Sequence, residues 1–153
     1  MISDNNWVCY LIKSVDSEKT YIGATNNLVR RLNDHCRING KSKGAKYTAG
    51  EMWYVILYIE GFKTRKECLS FEYQFKHISK NNKIDLSSYN LPNKTTIDKR
   101  IRNLYKLFIQ NKNYHKWQKE HLKICFEENF DKTIIDGINK LNNNYGAIVF
   151  ITQ

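Results

Sequence analysis

Apolar and polar residues alternate in blocks along the first part of the chain, and three of the apolar blocks predict β-strands. Residues 7–14 and 20–24 are rich in β-branched and aromatic side chains, and the polar stretch between them predicts a hairpin. Residues 51–60 have the same character and predict a third strand. Apolar residues at helical spacing then predict a helix over residues 64–79, which is followed by a loop at 80–94.

A second helix is predicted between the second and third strands, and it has two distinct faces. Asn26 and Asn27 are suited to cap its N-terminus. Its apolar positions recur at every fourth residue and form a stripe that is typical of a buried face: Leu28, Leu32 and Cys36. A polar row runs beside that stripe, one position earlier at each turn: Asn27, Arg31 and His35. Core packing explains the apolar stripe, but it does not explain the polar row or the strand tyrosines Tyr10 and Tyr21.

The second half of the chain is predicted to be mainly helical. Thr95 and Asp98 have the spacing of a capping box, and the residues after them carry apolar side chains at helical intervals. Residues 114–128 have a mixed pattern, and the segment 133–141 is weakly helical. Residues 146–152 predict a terminal strand.

The charge of the chain points to a polyanionic partner. The formal net charge is +10, from 25 Lys and Arg against 15 Asp and Glu. Such an excess favours nucleic acid, and the alternative is the solvated surface of a lysine-rich protein. The segment 39–50 contains glycines together with Lys41, Lys43 and Lys46, so it suits either a loop that grips backbone phosphates or a flexible surface loop.

The cysteines and the overall hydropathy bear on the cellular compartment. The four cysteines show no CxxC pair and no zinc-finger spacing with histidine, so we expect them to be reduced. Neither a signal peptide nor an apolar run long enough to span a membrane is apparent. We therefore expect no membrane partner and a reducing compartment, which is either the nucleus or a viral replication site in the cytoplasm.

A carboxylate lies within an apolar face of the helix predicted over residues 64–79. Glu72 stands between Phe71 and Tyr73, and a charge in such surroundings is costly unless it is paired or binds a cation. The residues alone leave open whether Glu72 binds a metal ion, pairs with a lysine or reaches solvent.

Five residues follow one another in an order that resembles the GIY-YIG nuclease superfamily: Tyr10, Tyr21, Arg31, His35 and Glu72. Val-Cys-Tyr replaces the Gly-Ile-Tyr of the family's first strand, whereas the Tyr-Ile-Gly element of the second strand is present in full. The arginine comes eight residues after the glycine of that element, and the histidine comes four residues later. The glutamate takes the place of the family's metal-binding glutamate.

Within the superfamily, residues 7–79 are most similar to the eukaryotic structure-specific endonucleases that cut Holliday junctions, flaps and replication forks together with a scaffold protein. The similarity continues weakly over residues 96–126. The cysteine-rich zinc domain of those enzymes has no counterpart in this sequence, because only Cys125 lies beyond residue 68. A scaffold partner is therefore left open.

The resemblance implies an α/β fold. Residues 1–80 would form a GIY-YIG nuclease core, a three-stranded antiparallel sheet flanked by helices, and residues 81–153 a basic, mainly helical extension packed on that core. The implied function is hydrolysis of phosphodiester bonds in branched DNA with Mg²⁺ or Mn²⁺, in recombination, repair or replication. The alternatives are a catalytically silent DNA-binding module and a homing or restriction nuclease that reads sequence. An RNA substrate and a homodimer also stay open.

The resemblance also implies a role for each residue. Tyr10 would act as the general base or orient the attacking water, Tyr21 would hydrogen-bond the water or the phosphate, and Arg31 would bind the phosphate. His35 would tune Tyr10, whose phenol needs neighbouring positive charge because the usual pKa is about 10. Glu72 would hold the metal ion. The residues predicted to bind DNA are all basic: Lys41, Lys43, Lys46, Lys76, Lys99, Arg100 and Arg102.

Overall fold

The computed structural model describes residues 6–36, 46–78, 83–110, 122–127, 131–145 and 149–152, and these form a mixed five-stranded sheet with helices. The strands are β1 (Val8–Ser14), β2 (Thr20–Thr25), β3 (Trp53–Glu60), β4 (Lys123–Phe126) and β5 (Val149–Thr152). The helices are α1 (Leu28–His35), α2 (Arg65–His77), α3 (Thr96–Gln110) and α4 (Lys132–Tyr145). The order across the sheet is β2-β1-β3-β4-β5, and neighbours are antiparallel except for the parallel pair β4 and β5.

Strands β1 and β2 form the predicted hairpin, and a polar cluster fixes its turn. Ser14 Oγ accepts hydrogen bonds from the backbone N–H groups of Asp16 and Ser17, both at 3.2 Å. Glu51 accepts from the hydroxyls of Ser14 and Ser17. It also pairs with Lys19 at 3.1 Å. The turn is therefore tied to the residues that precede β3, and the register of the hairpin is held from one end.

The two faces of the sheet carry separate apolar cores, because successive side chains of a strand point to opposite faces. On one face, Tyr10, Ile12 and Trp53 form a small core. Helix α1 packs on it with its predicted apolar stripe: Leu28, Leu32 and Cys36. The opposite face carries the main core, to which α2, α3 and α4 contribute. Strand β2 forms one edge of the sheet, between the helices of the two faces.

The helix boundaries follow the predicted capping residues. The Asn27 side chain accepts a hydrogen bond from the Arg30 backbone N–H at 3.1 Å and begins α1. Before α3, Thr95 Oγ1 accepts from the Asp98 N–H at 3.1 Å, and the Asp98 carboxylate accepts from the Thr95 N–H at 2.9 Å. This reciprocal pair is the predicted capping box.

The α/β fold class is confirmed, and the first three strands and the first two helices lie where the sequence predicts them. The sheet is larger than the predicted three-stranded core, because β4 pairs with β3, and β5, which lies within the terminal strand predicted at 146–152, pairs with β4. The predicted loop at 80–94 contains a 3₁₀ turn at Ser87–Tyr89. The domain boundary at residue 80 stays a prediction, and the sheet continues across it. In the described ranges, no helix combines the length and apolar character needed to cross a membrane.

Candidate active site

The hydroxyl of Tyr10 lies at the centre of a polar cluster next to the edge strand β2. The register of the hairpin puts Tyr10 opposite Gly23, and the phenol ring lies across that glycine. A Cβ atom at position 23 would overlap the Tyr10 hydroxyl, so glycine is the residue that leaves room for it. The glycine of the Tyr-Ile-Gly element therefore leaves the space that the ring of Tyr10 in the first strand occupies.

His35, the last residue of α1, connects Tyr10 with Thr48. The imidazole is fully buried, and its Nε2 lies 2.8 Å from the Tyr10 hydroxyl. Its Nδ1 lies 2.8 Å from Thr48 Oγ1. Burial, followed by the charge of Arg31, lowers the pKa of His35 to about 4. The ring is therefore neutral around pH 7, with one nitrogen as donor and the other as acceptor.

Arg31 lies one turn before His35 on α1, and its Nε donates to the Tyr10 hydroxyl at 3.4 Å. The Tyr10 oxygen accepts from Arg31, so we assign the tautomer in which Tyr10 donates its proton to His35 Nε2 and Nδ1–H donates to Thr48 Oγ1, because it gives all three groups a partner. Burial raises the pKa of Tyr10 well above its usual value, although the hydrogen bond and charge of Arg31 lower it. Tyr10 is therefore a neutral phenol whose proton is shared with a neutral imidazole.

Tyr21 forms the aromatic side of the cluster. Its ring centroid lies 4.9 Å from that of His35 and 6.4 Å from that of Tyr10. The ammonium group of Lys76 lies over the Tyr21 ring, 5.5 Å from its centroid, which is a cation–π distance. The hydroxyl of Tyr21 also interacts with Arg31. The cluster therefore joins both faces of the sheet around β2, with Arg31 coming from α1 and Lys76 from α2.

Glu72 brings a carboxylate from α2 to this cluster. Its side chain is 19% exposed and pairs with Lys76, one turn later, at 3.8 Å. Burial raises the pKa of Glu72, and Lys76 and Arg31 offset that effect only in part. The sequence left open whether Glu72 pairs with a lysine, and the structure shows that it pairs with Lys76. This ion pair compensates only part of the cost of burying the Glu72 charge.

The donor atoms around Glu72 are suited to a hard divalent cation. The carboxylate of Glu72 offers oxygen ligands, which Mg²⁺ prefers, and substrate phosphates and waters often supply the others. The described residues contain no group of three or more His, Cys, Asp or Glu side chains that could hold a metal ion. The cluster therefore fits a divalent cation in company with a ligand that brings further oxygens.

The structure brings together the five residues predicted to be catalytic: Tyr10, Tyr21, Arg31, His35 and Glu72. Their catalytic roles stay predictions. Among the residues predicted to bind DNA, Lys41 and Lys43 lie outside the described residues. Lys46 is exposed at the start of a 3₁₀ turn, Lys46–Thr48. Lys76 belongs to the cluster itself.

The three basic residues predicted to bind DNA from α3 have different surroundings. Lys99 is exposed. Arg100 Nε donates to Thr20 Oγ1 on β2 at 3.1 Å, and Arg102 Nη1 donates to the carbonyl oxygen of Leu91 at 3.4 Å. Two of the three therefore help to hold α3 in place, and DNA binding by all three stays a prediction.

Thr48 is a site residue that the sequence reasoning missed. The sequence predicts that the segment around it is either a loop that grips phosphates or a flexible surface loop, but Thr48 is fully buried and contacts His35. The indole Nε1 of Trp53 donates to the Thr48 carbonyl oxygen at 2.9 Å and fixes the backbone there. No periodicity links His35 and Thr48, because thirteen positions separate them along the chain. No signal in the sequence marks Thr48, because the two residues before it, Lys46 and Tyr47, are exposed and a single buried threonine forms no pattern.

Comparison with known proteins places this cluster in a family. Residues 6–85, just over half of the 153-residue chain, match the GIY-YIG catalytic domain. An uncharacterised protein of Acanthamoeba polyphaga mimivirus is 58% identical over 80 residues, which cover 52% of this chain and 48% of that protein. The structure-specific endonuclease subunit slx1 of Aspergillus terreus is 41% identical over 76 residues, which cover 46% of this chain and 19% of that protein.

A bacterial group of relatives is also similar. A UPF0213 protein of Clostridium perfringens is 38% identical over 79 residues, which cover 52% of this chain and 80% of that protein. The chain thus spans about half the length of the viral relative, about a fifth of the fungal relative and most of the bacterial one. The matched segment 6–85 contains every residue of the cluster around Tyr10. The chain belongs to the GIY-YIG catalytic-domain family.

Proposed function

We propose that the protein is a divalent-metal-dependent endonuclease that hydrolyses phosphodiester bonds in branched DNA. The observation that carries the proposal is the Tyr10 hydroxyl, which contacts a neutral histidine and an arginine beside a partly buried carboxylate. Membership of the GIY-YIG family supports nuclease chemistry. Fungal relatives at 41% and 39% identity bear the name structure-specific endonuclease subunit, which supports the substrate class.

Arg31 binds the scissile phosphate in this proposal. Its planar guanidinium suits two phosphate oxygens at once. Burial is the main cause of the lowered pKa of His35, and the charge of Arg31 is the second cause. The negative charge of the bound phosphate offsets this second cause. Substrate binding therefore makes His35 a better proton acceptor than it is in the unbound protein.

Tyr10 and His35 together move one proton away from the attacking water. The water gives its proton to the Tyr10 oxygen as the Tyr10 hydroxyl proton passes to His35 Nε2. The water oxygen then bonds to phosphorus, and the bond from phosphorus to the leaving oxygen breaks with its electron pair on that oxygen. The leaving oxygen takes up a proton from solvent, and His35 returns its proton to solvent. Tyr10 begins and ends as a neutral phenol, which agrees with its raised pKa. The imidazolium that forms keeps its Nδ1–H bond to Thr48.

Glu72 holds the divalent cation in this proposal, together with phosphate and water oxygens. When bound, the cation supplies positive charge for the phosphoryl oxygens and the leaving oxygen. GIY-YIG nucleases in general depend on divalent metal ions, and the choice of Mg²⁺ or Mn²⁺ is part of the proposal. A cation would also relieve the uncompensated burial that raises the pKa of Glu72.

Selection of branched DNA follows from shape rather than from base sequence. The net charge of +10 favours contacts with backbone phosphates, and such contacts carry no base information. A junction or flap bends more easily than a duplex and can present two arms to one protein. The name of the bacterial relatives states no activity, so the fungal relatives carry this part of the proposal.

Cleavage of matched substrates tests the proposal. Labelled flap, replication fork, four-way junction and linear duplex DNA of the same sequence are incubated with the protein, with and without Mg²⁺ or Mn²⁺. A salt concentration of about 100–150 mM limits attraction by distant surface charges. We expect cutting of the branched substrates only when the cation is present, and cutting at least about a hundredfold slower by the Tyr10→Phe variant.

Two outcomes would contradict the proposal. Binding without cutting of any substrate would indicate a silent DNA-binding module. Equal cutting of duplex and branched DNA, or cutting at one duplex sequence, would favour a homing or restriction nuclease.

A further inference from the structure

A pocket of about 310 Å³ lies between the start of β2 and the N-terminal half of α3. Its walls come from the hairpin turn and β2, from the 3₁₀ turn at Lys46–Thr48 and from α3. The wall residues that matter here are Glu18, Thr20, Tyr47, Thr96, Lys99 and Arg100. Helix α3 lies beyond the matched segment 6–85, so the pocket joins the family domain to the rest of the chain.

Arg100 dominates the charge of this pocket. Its side chain is partly buried, and the bond from Nε to Thr20 Oγ1 at 3.1 Å fixes the guanidinium in the wall. The ion pairs within the described ranges do not include Arg100. Burial lowers the pKa of Arg100, and the influence that opposes it comes from the Tyr47 phenol rather than from a carboxylate. A desolvated charge of this kind gains from an anionic ligand.

The neighbouring charges leave the pocket positive. Lys99 precedes Arg100 on α3 and is exposed. Glu18 supplies a carboxylate to the wall, and its Oε2 accepts a hydrogen bond from Thr96 Oγ1 at 3.2 Å. Two cationic side chains therefore face one carboxylate.

Two chain segments connect this pocket with the cluster around Tyr10. Thr20 in the wall is followed by Tyr21 in the cluster, and Tyr47 is followed by Thr48, which contacts His35. Positive side chains are present beside β2 at both sites, with Lys76 over the ring of Tyr21 at the cluster and Arg100 bonded to Thr20 at the pocket. A polynucleotide bound along this edge passes both.

We propose that this pocket binds a second backbone phosphate of the DNA strand whose scissile phosphate lies at Arg31, and that Arg100 is its main ligand. The substrate class in this inference rests on the proposed function above. The guanidinium fork of Arg100 suits phosphodiester oxygens, and the Thr20 bond sets its orientation before DNA arrives. Such a contact fixes the position of the strand without reading its bases.

The test measures binding apart from cleavage, by fluorescence anisotropy of a labelled flap DNA in EDTA. Arg100→Gln should weaken binding about tenfold, the usual scale for a hydrogen-bonded charge. It should also reduce the slope of log K against log salt by about one. Arg65→Gln is the matched control, because it removes the same charge from α2, where Arg65 lies over the Trp7 ring at 5.0 Å. This control should change binding by less than about twofold, the scale of a distant surface charge that salt screens.

Two further variants separate a built pocket from general positive charge, and they keep the test decisive if Arg100→Gln does not fold. Thr20→Val preserves the net charge but removes the acceptor that orients Arg100, and it should weaken binding about threefold. Glu18→Gln removes the opposing carboxylate and should tighten binding. Thermal melting confirms that each variant is folded.

Different experimental results would contradict the phosphate-pocket proposal and the nuclease proposal. Equal losses in Arg100→Gln and Arg65→Gln, or unchanged binding by Thr20→Val, would overturn the phosphate pocket even if the wild type cuts branched DNA. A wild-type protein that shows these binding differences but cuts no substrate would support the pocket and overturn the nuclease.

Discussion

The basic residues of α1 and those of α3 contribute to the molecule in different ways. On α1, Arg31 donates to the buried Tyr10, and the charge of Arg31 lowers the pKa of the buried His35. On α3, Arg100 and Arg102 donate to separate acceptors, a threonine hydroxyl and a backbone carbonyl. Side chains in one network have coupled effects, whereas distant ones add independently. We therefore expect large, non-additive losses at the Tyr10 cluster and smaller, separable ones at α3.

The largest effect is expected from Glu72→Gln, which should reduce cleavage by at least about a thousandfold, the upper range for loss of one electrostatic contact to the transition state. The change keeps the shape of the side chain and removes the charge that would hold the cation. DNA binding should stay within a few-fold of wild type. Folding stability should not fall, since a partly buried charge with a long ion pair is removed. Single-turnover cleavage, anisotropy and urea unfolding give the three readouts.

Lys76→Gln is compared with that variant at saturating DNA, because Lys76 is itself predicted to bind DNA. It breaks the same 3.8 Å ion pair but keeps the carboxylate. If the pair were merely structural, the two variants would lose activity equally, and the metal-binding assignment of Glu72 would be wrong.

Tyr10→Phe should cost at least about a hundredfold in cleavage rate, the scale of general acid–base help. Phenylalanine keeps the ring over Gly23 but removes the oxygen that Arg31 and His35 contact. Circular dichroism should be unchanged, and Tyr73→Phe, on the exposed side of α2, is the matched control. A folded Tyr10→Phe protein with wild-type turnover would remove Tyr10 from the mechanism.

The pH dependence of stability tests whether His35 is buried in its neutral form. Its pKa is lowered from 6.5 to about 4, so between these values the unfolded chain binds a proton that the folded chain does not. The contribution of His35 to the free energy of unfolding is fully present above about pH 6.5. It falls as the pH drops towards 4, by at most about 3 kcal/mol. His35→Gln should lack this part of the slope in urea unfolding. Parallel curves for the variant and the wild type would show that folding does not lower the pKa of His35.

The elements that the sequence predicts well are those whose pattern is local. The apolar stripe of α1 and the capping box of Thr95 and Asp98 are set by residues within two turns of each other, and both are present in the structure. Strands β4 and β5 contain four residues each, too few for a periodic pattern to decide how they pair. Their place in the sheet depends on β3, more than sixty residues earlier than β4.

The candidate site shows the same division. The five residues predicted to be catalytic could be selected from the sequence because the family pattern fixes their order. The pattern does not predict which of their atoms are in contact. The seating of Tyr10 on Gly23 follows from hairpin register, and the contact between Thr20 and Arg100 joins residues 80 positions apart. Contacts of this kind depend on how the helices pack on the sheet, which no local spacing contains.

Thr48→Val is expected to have the smallest effect in the cluster, about tenfold on cleavage, the factor that about 1.4 kcal/mol corresponds to. Valine has nearly the same shape but cannot accept from His35 Nδ1–H, which the Thr48 hydroxyl meets at 2.8 Å. The buried N–H is left without its partner, and the tautomer that accepts the Tyr10 proton is no longer favoured. Thr48→Ser keeps the hydroxyl and is the matched control. If Thr48 only fills space, serine should be the more damaging change, because it leaves a cavity. If Thr48 positions His35, valine should be the worse one in cleavage rate although it packs better.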